Sequence, residues 1–369
     1  MHESQQGARS RRWLPWAALV GALVVGGVAG GAIVAATKSS ASTPASSATP
    51  SASGQVSVCD VTSVAAKVLP SVVTIAASGQ GGAGTGSGEI IRSDGYILTN
   101  NHVIAVAANG GSVQVQFSDG QTEPATITGR DPLTDLAVLK VDNTHKFPVI
   151  ALGSSSTVKV GQATVVLGAP LGLSGTVTSG IVSALDRTIQ VPAENDSTAL
   201  LVSAIQTDAS INPGNSGGAM VNCADQLVGV PTAGATVPTE SGESGGGSIG
   251  LGFAIPVDLA KTISDEIIAT GRVTHAYFGL QTVPVPPAAA AQAGVPEGLF
   301  VRAVLTGGPA AQAGLRAEDI ITKINGEAAN SNVQLQELTL TKKPGDQIPV
   351  EYWRNGHTAT TTVTLGTQP

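Results

Sequence analysis

The sequence predicts a mainly β protein: two antiparallel β-barrels side by side, then a smaller α+β unit, with one apolar helix ahead of them. Three observations carry this prediction. Between about residue 60 and residue 256 the chain passes through short β-rich runs such as SVVTIAA, GYILT, SVQVQF, LAVLKV, ATVVLG, TSGIVSAL, LLVSAIQ and QLVGV, separated by Gly, Asn, Asp and Pro. Strands at such even spacing, with few helical stretches among them, read as barrels or sandwiches. The stretch PVDLAKTISDEIIATG then reads as a helix that begins at Pro256 and stops at Gly271. Finally, 369 residues, 42% apolar and only 12% charged, can bury one large core or two smaller ones.

The elements follow in chain order. RSRR, ending at Arg12, precedes the uncharged run Trp13–Ala36, which is long enough to cross a hydrocarbon core of about 30 Å as a helix. Arginines on that flank keep residues 1–12 in the cytoplasm and export everything after the anchor at 13–36. A cleaved signal peptide is the rival reading, but its apolar stretch usually runs to about 7–15 residues. Residues 37–58 are Ser, Thr, Ala and Pro without apolar periodicity, which makes a flexible linker. The two-barrel unit is expected over 59–271 and the α+β unit over 272–369. Net charge is −7, with Lys and Arg scattered, so nucleic acid is not expected as a partner. No metal or cofactor constellation is visible.

In TDASINPGNSGGAM one serine, Ser216, stands between glycines. A serine hydroxyl is a poor nucleophile unless a base takes its proton, and that base works best when a buried carboxylate fixes its tautomer. Of the five histidines, His2 precedes the anchor, His145 sits in the polar DNTHKFP, and His275 and His357 lie beyond the barrels. His102, directly after the strand-like YILT, remains. Asp135 precedes the buried-looking LAVLKV and could reach an imidazole, whereas Asp131, before Pro132, suits a turn. The order His102, Asp135, Ser216 is that of chymotrypsin.

TNNHVI, DPLTDLAVLKV and QTDASINPGNSGGAMVN resemble the three catalytic blocks of the HtrA (DegP/DegS-like) serine proteases, and LGAPLGL, TSGIVSAL and GLGFAIP resemble the segments that join them. The resemblance covers about residues 62–366. It implies a chymotrypsin-like double β-barrel protease domain, an α+β PDZ domain and possible assembly as a trimer. In such a turn the backbone N–H groups of Gly214 and Ser216 form the oxyanion hole. Asn215 stands where pancreatic-type proteases carry an Asp that pairs with a released N-terminal amine, so control falls to loops such as Pro231–Gly250, long and Gly/Ser-rich. The residue six before the nucleophile is Ser210. With Ile211 and Phe253 as expected neighbours, the specificity pocket should take small or medium aliphatic side chains, unless the alignment shifts to Asp208.

YFGLQT and the segment after it resemble a PDZ domain, in which the N–H groups of Phe278, Gly279 and Leu280 would hold a peptide's C-terminal carboxylate while the peptide adds as a strand. SNVQLQELTL would wall that groove as a helix capped by Ser331. Cys59 and Cys223, both on the exported side, are a candidate disulfide. The function implied is a membrane-anchored extracytoplasmic serine endopeptidase acting on unfolded or misfolded envelope proteins, with C-terminal peptides bound at the PDZ domain. The competing class is a non-proteolytic PDZ chaperone or scaffold.

Overall fold

The computed structural model describes residues 59–142, 147–169, 175–192, 198–238 and 244–368. The expected anchor at 13–36, the linker, His2 and His145 lie outside the described residues. Helix α1 (Val61–Val68) opens the fold, with the Asp60 carboxylate accepting the Ser63 N–H at 3.1 Å as its N-cap. A disulfide joins Cys59 to Cys223, their Cα atoms 5.2 Å apart, and Lys67 meets Asp225 at 2.8 Å. Both links tie the entering chain to the second barrel.

The first barrel is closed by β1 (Val72–Gly79), β2 (Gly82–Ile90), β3 (Tyr96–Thr99), β4 (Ser112–Gln116), β5 (Thr122–Asp131) and β6 (Leu136–Val141), in the order β1-β2-β3-β6-β5-β4. Short helix α2 (Asn101–Ile104) follows β3. Period-2 alternation turns Ile75, Ile90, Ile97, Val115 and Leu139 into the barrel. The second barrel is built from β7 (Ala151–Leu152), β8 (Ala163–Gly168), β9 (Thr176–Pro192), β10 (Thr198–Thr207), β11 (Ala219–Val221), β12 (Gln226–Pro238) and β13 (Ser244–Pro256). Their order is β11-β8-β9-β10-β13-β12-β7, and a β11–β12 pairing joins the six-strand path on itself. Val166, Val182, Ile205, Met220 and Val228 fill its interior.

Most of the Pro231–Gly250 stretch, expected as a loop, is paired strand: Thr236 faces Ser248 and Pro238 faces Ser244 across β12 and β13. Gly and Ser lower strand propensity but keep the backbone N–H and C=O groups that an antiparallel ladder uses. Between the barrels Leu98, Leu136 and Val138 pack on Leu201, Val230 and Ile255, and α3 (Val257–Thr270) covers them with Ala260, Ile263 and Ile267. Pro256 is the N-cap of α3, so the helix begins one residue after the expected start, and Gly271 ends it at φ +78°.

The remaining chain forms β14 (Ala276–Tyr277), β15 (Leu280–Val285), α4 (Pro287–Ala293), β16 (Gly298–Val304), α5 (Pro309–Gln312), β17 (Ile320–Ile324), β18 (Glu327–Ala328), α6 (Asn332–Thr341), β19 (Gln347–Arg354), β20 (His357–Thr364) and β21 (Gly366–Thr367). Its main sheet runs β15-β16-β17-β19-β20, which leaves β15 at an edge. Ser331 caps α6 in a capping box with Gln334.

Candidate active site

Asp135 is tightly held at the junction of the barrels. Its φ of +58° puts it in the left-handed region, which Asp tolerates better than most residues but at a cost. Three consecutive residues hold it there. Asn100 donates from Nδ2 to the Asp135 carbonyl at 2.8 Å, the Asn101 N–H reaches the same carbonyl at 3.1 Å, and the His102 N–H reaches Oδ1 at 3.0 Å. The carboxylate so aimed meets His102 Nδ1 at 2.8 Å through Oδ2 and 3.0 Å through Oδ1. The Asp135 side chain is 5% exposed and the imidazole 41%. A buried acceptor on Nδ1 leaves Nε2 of an open imidazole available to a substrate or a nucleophile.

Ser216 lies on the loop before β11, pressed against the residues that precede His102. A Cβ added at Gly217 would collide with Thr99 Oγ1 and the Asn100 nitrogen, and Gly217 sits at φ +78°, so only glycine fits this approach. Thr232 joins the two halves: its hydroxyl donates to Asp135 Oδ2, and its carbonyl accepts from the Ser216 hydroxyl at 3.3 Å. Sequence reasoning does not single out Thr232. The available signal is a β-branched hydroxyl two residues past the apolar run QLVGV, where a polar group must find a partner.

The Gly214 carbonyl accepts from Ser87 Oγ at 2.6 Å, the Asn215 N–H reaches the Asn212 carbonyl at 2.9 Å, and Gly214 itself has φ +100°. Among the described residues, neither the Gly214 nor the Ser216 N–H is spent on a protein acceptor. Ser210 is half-buried, and its carbonyl takes Thr178 Oγ1 at 3.0 Å. Ile211 is buried against Gly252, where a Cβ would come within 2.6 Å of Ile211 Cδ1. Phe253 does not join them. Strand alternation turns it to the opposite face of β13 from Gly252, into the inter-barrel cluster with Leu98 and Leu136, while Ile211 belongs to the second-barrel interior. The Asp208 carboxylate is committed to the Ile181 N–H at 2.7 Å.

In the C-terminal unit Phe278 fills the core, its carbonyl accepts the Ala310 N–H at 2.9 Å, and Gly279 turns the chain at φ +76° before edge strand β15 begins at Leu280. Thr282 Oγ1 donates to Asn332 Oδ1 at 2.6 Å and Asn332 Nδ2 returns a bond to the Thr282 carbonyl at 3.1 Å. These two bonds hold the start of α6 beside the edge strand.

Two six-strand barrel paths that meet at a His–Asp pair and a glycine-flanked serine, followed by a sheet with a free edge beside a helix, define a trypsin-type peptidase fold with a PDZ-like unit. Residues 86–230 match the trypsin-like peptidase domain family and residues 276–365 the PDZ domain family. The chain belongs to the HtrA-type serine protease family. It is 43% identical over 313 residues to the serine protease PepD of Mycobacterium tuberculosis, covering 83% of this chain and 66% of that protein. It is 41% identical over 287 residues to the periplasmic pH-dependent serine endoprotease DegQ of Escherichia coli, covering 77% of this chain and 60% of DegQ. The chain therefore spans about two thirds or less of these relatives. The solved structure of the HtrA-type protease AlgW with a decapeptide superposes with a TM-score of 0.66 at 32% identity, covering 84% of this chain and 99% of AlgW.

Proposed function

We propose that the protein is a serine endopeptidase working through an acyl-enzyme, with Ser216 as nucleophile, His102 as general base and then acid, and Asp135 as the group that orients His102. The observation that carries this reading is the buried Asp135 carboxylate on His102 Nδ1 at 2.8 Å, with Thr232 bridging the same carboxylate to Ser216. In the first step Ser216 Oγ turns from the Thr232 carbonyl to attack the scissile carbonyl carbon, and its proton passes to His102 Nε2. The oxyanion falls to the Gly214 and Ser216 N–H groups; the leaving amine takes the proton from His102, and water reverses the sequence to release the acid.

Ser210 and Ile211 supply a pocket wall without an anion, which favours cleavage after Val, Ala or Ile over cleavage after Lys or Arg. Phe278, Gly279 and Leu280 form the loop that holds a C-terminal carboxylate, with the peptide adding to β15. The substrates are unfolded or regulatory envelope proteins. The uncharged run Trp13–Ala36 supports a membrane anchor with the catalytic unit outside the cytoplasm; among the described residues no helix is long and apolar enough to cross a membrane. Family membership supports an oligomer.

A fluorophosphonate probe tests the core of the proposal. It should label the folded protein at Ser216 and lose that label in Ser216→Ala and His102→Ala, with peptide hydrolysis lost in parallel. Substantial turnover by folded Ser216→Ala protein would overturn the assignment, and an unlabelled wild type would favour a scaffold.

A further inference from the structure

Ser87, on β2 of the first barrel, is fully buried and spends every polar group it has. Its hydroxyl donates to the Gly214 carbonyl at 2.6 Å and accepts the Ala169 N–H at 2.8 Å. Its backbone N–H donates to the Ser216 carbonyl at 2.9 Å, and its own carbonyl accepts from Thr99 Oγ1 at 2.7 Å. One residue of the barrel that carries His102 therefore grips the nucleophile loop of the other barrel at two points, Gly214 and Ser216. The packing leaves no slack: a Cβ at Gly168 would come 3.0 Å from Ser87 Oγ, and one at Gly218 would come 3.1 Å from Ser87 Cβ.

The geometry points to Ser87 as a positioning residue for the oxyanion donors, an inference that rests on reading Gly214 and Ser216 as those donors. The peptide unit between Gly214 and Asn215 lies between the two donating N–H groups. Its carbonyl end is pinned by Ser87 Oγ and its N–H end by the Asn212 carbonyl at 2.9 Å. With that plane fixed at both ends, the donor on one side cannot turn away from the donor on the other without breaking a buried hydrogen bond. Gly214 needs such a restraint. At φ +100° it is a glycine with open alternatives, and nothing in its own side chain selects among them. The N–H bond from Ser87 to the Ser216 carbonyl sets the height of the nucleophile relative to His102 through the same residue. Ser87 touches no substrate atom, so its effect is on where the donors point, and it is felt most where charge has developed on the carbonyl oxygen.

The test uses the full chain with three readouts. Ser87→Ala removes one oxygen and keeps the strand. Because outright loss of one oxyanion donor costs about 10²–10³ in kcat, loosening a donor pair should lower kcat about 10–100-fold, with KM within about threefold. A peptide aldehyde ending in valinal supplies the second readout. Ser216 Oγ adds to its carbonyl carbon, the proton passes to His102, and the oxygen that becomes tetrahedral needs the same donors. Its Ki should rise by the factor by which kcat/KM falls, while the matching peptide alcohol, which cannot form the adduct, binds unchanged. Thermal unfolding is the third readout and shows that each variant is folded at the assay temperature. Thr99→Val, which releases only the Ser87 carbonyl, should move kcat and the aldehyde Ki the same way by a few-fold, and it serves if Ser87→Ala does not fold. Wild-type kcat in both folded variants, or a change confined to KM, overturns the inference. Failure of wild-type Ser216 to label with fluorophosphonate overturns instead the functional reading beneath it.

Discussion

Glu89 should destabilise this protein at neutral pH. It sits on β2 with 0% exposure, facing Val72 and Leu98 across the neighbouring strands, and among the described residues neither carboxyl oxygen has a hydrogen-bond partner. Burial pushes its carboxyl well above the usual carboxylate range. A group whose pKa is raised by folding takes up a proton as the chain folds. Its contribution is most favourable below the unfolded value, near pH 4, and is lost as pH climbs toward the folded one. Glu89→Gln keeps the shape and removes the titration, whereas Glu89→Met replaces the unpaired group with an apolar chain of similar length. An unsatisfied buried polar group costs about 1–3 kcal/mol, so the Met variant should gain about 2 kcal/mol at pH 8, a rise in Tm of roughly 4–8 °C for a barrel pair of this size. Scanning calorimetry from pH 4 to pH 8 is the assay, with wild type and variant compared at each pH so that other carboxylates cancel. Asp258 and Asp265 belong among those: the Ser155 and Ser154 hydroxyls and the Ser156 N–H donate to Asp258, Lys261 and Arg92 donate to Asp265, and these bonds hold both carboxyls below the usual range, so their stabilisation is lost as pH falls. The stability difference between Glu89→Gln and wild type should be small at pH 4 and widen toward pH 8. A difference that stays flat with pH, or a Met variant that melts below wild type at pH 8, would refute the reasoning.

Further expectations concern the site and its supports. Thr232→Val removes the hydroxyl on Asp135 Oδ2 and should lower kcat about tenfold, as loss of a charge-assisted bond predicts; unchanged kcat on a short peptide substrate would count against a role for Thr232. Replacing Cys59 and Cys223 by Ala together should cost up to about 5 kcal/mol in the chain-entropy model, read as a drop in the denaturant midpoint, while leaving the kcat of the folded protein intact. A peptide with an apolar C-terminus should bind the PDZ unit, and amidating that terminus should weaken it tenfold or more; calorimetry showing equal affinity would remove Phe278, Gly279 and Leu280 from the carboxylate role.

The parts of this protein legible in its sequence are those written in local pattern. The apolar, β-rich runs LAVLKV and ATVVLG, the Gly271 stop and the Ser331 cap are short-range signals, and each falls on the element the structure contains. Nothing local marks Ser87, which lies in a strand of small residues, and the one local signal at Thr232, a hydroxyl just past an apolar run, sits in a segment whose glycines read as loop. Their importance comes from contacts 127 and 97 residues away in the chain, which only the closing of two barrels on each other creates. Phe253 failed as a pocket residue for a related reason. Nearness in sequence to the Ile211–Gly252 contact says nothing about which face of β13 a side chain takes, and a one-residue offset reverses the answer.

A contact crosses the expected boundary between the barrels and the PDZ unit. The helix stop at Gly271 puts that boundary at residue 272, and beyond it His275 is 8% exposed and its Nε2 meets Asp131 Oδ1 at 2.9 Å in the first barrel. Asp131 is itself buried, and its carboxylate also accepts from the Leu133 N–H and the Thr134 hydroxyl, which shapes the turn that delivers Asp135 in its left-handed conformation. A histidine just past the expected boundary is thus part of the support of the carboxylate proposed to orient His102. His275→Ala should strip the buried Asp131 of its imidazole partner at a cost of about 1–3 kcal/mol. By loosening the turn it should also reduce kcat on a short chromogenic peptide several-fold, with KM little changed because that peptide does not engage the PDZ groove. Thermal unfolding and steady-state kinetics on the full chain decide it. A variant that melts with wild type and turns over at the wild-type rate would show that the 131–134 turn holds Asp135 without help from the C-terminal unit.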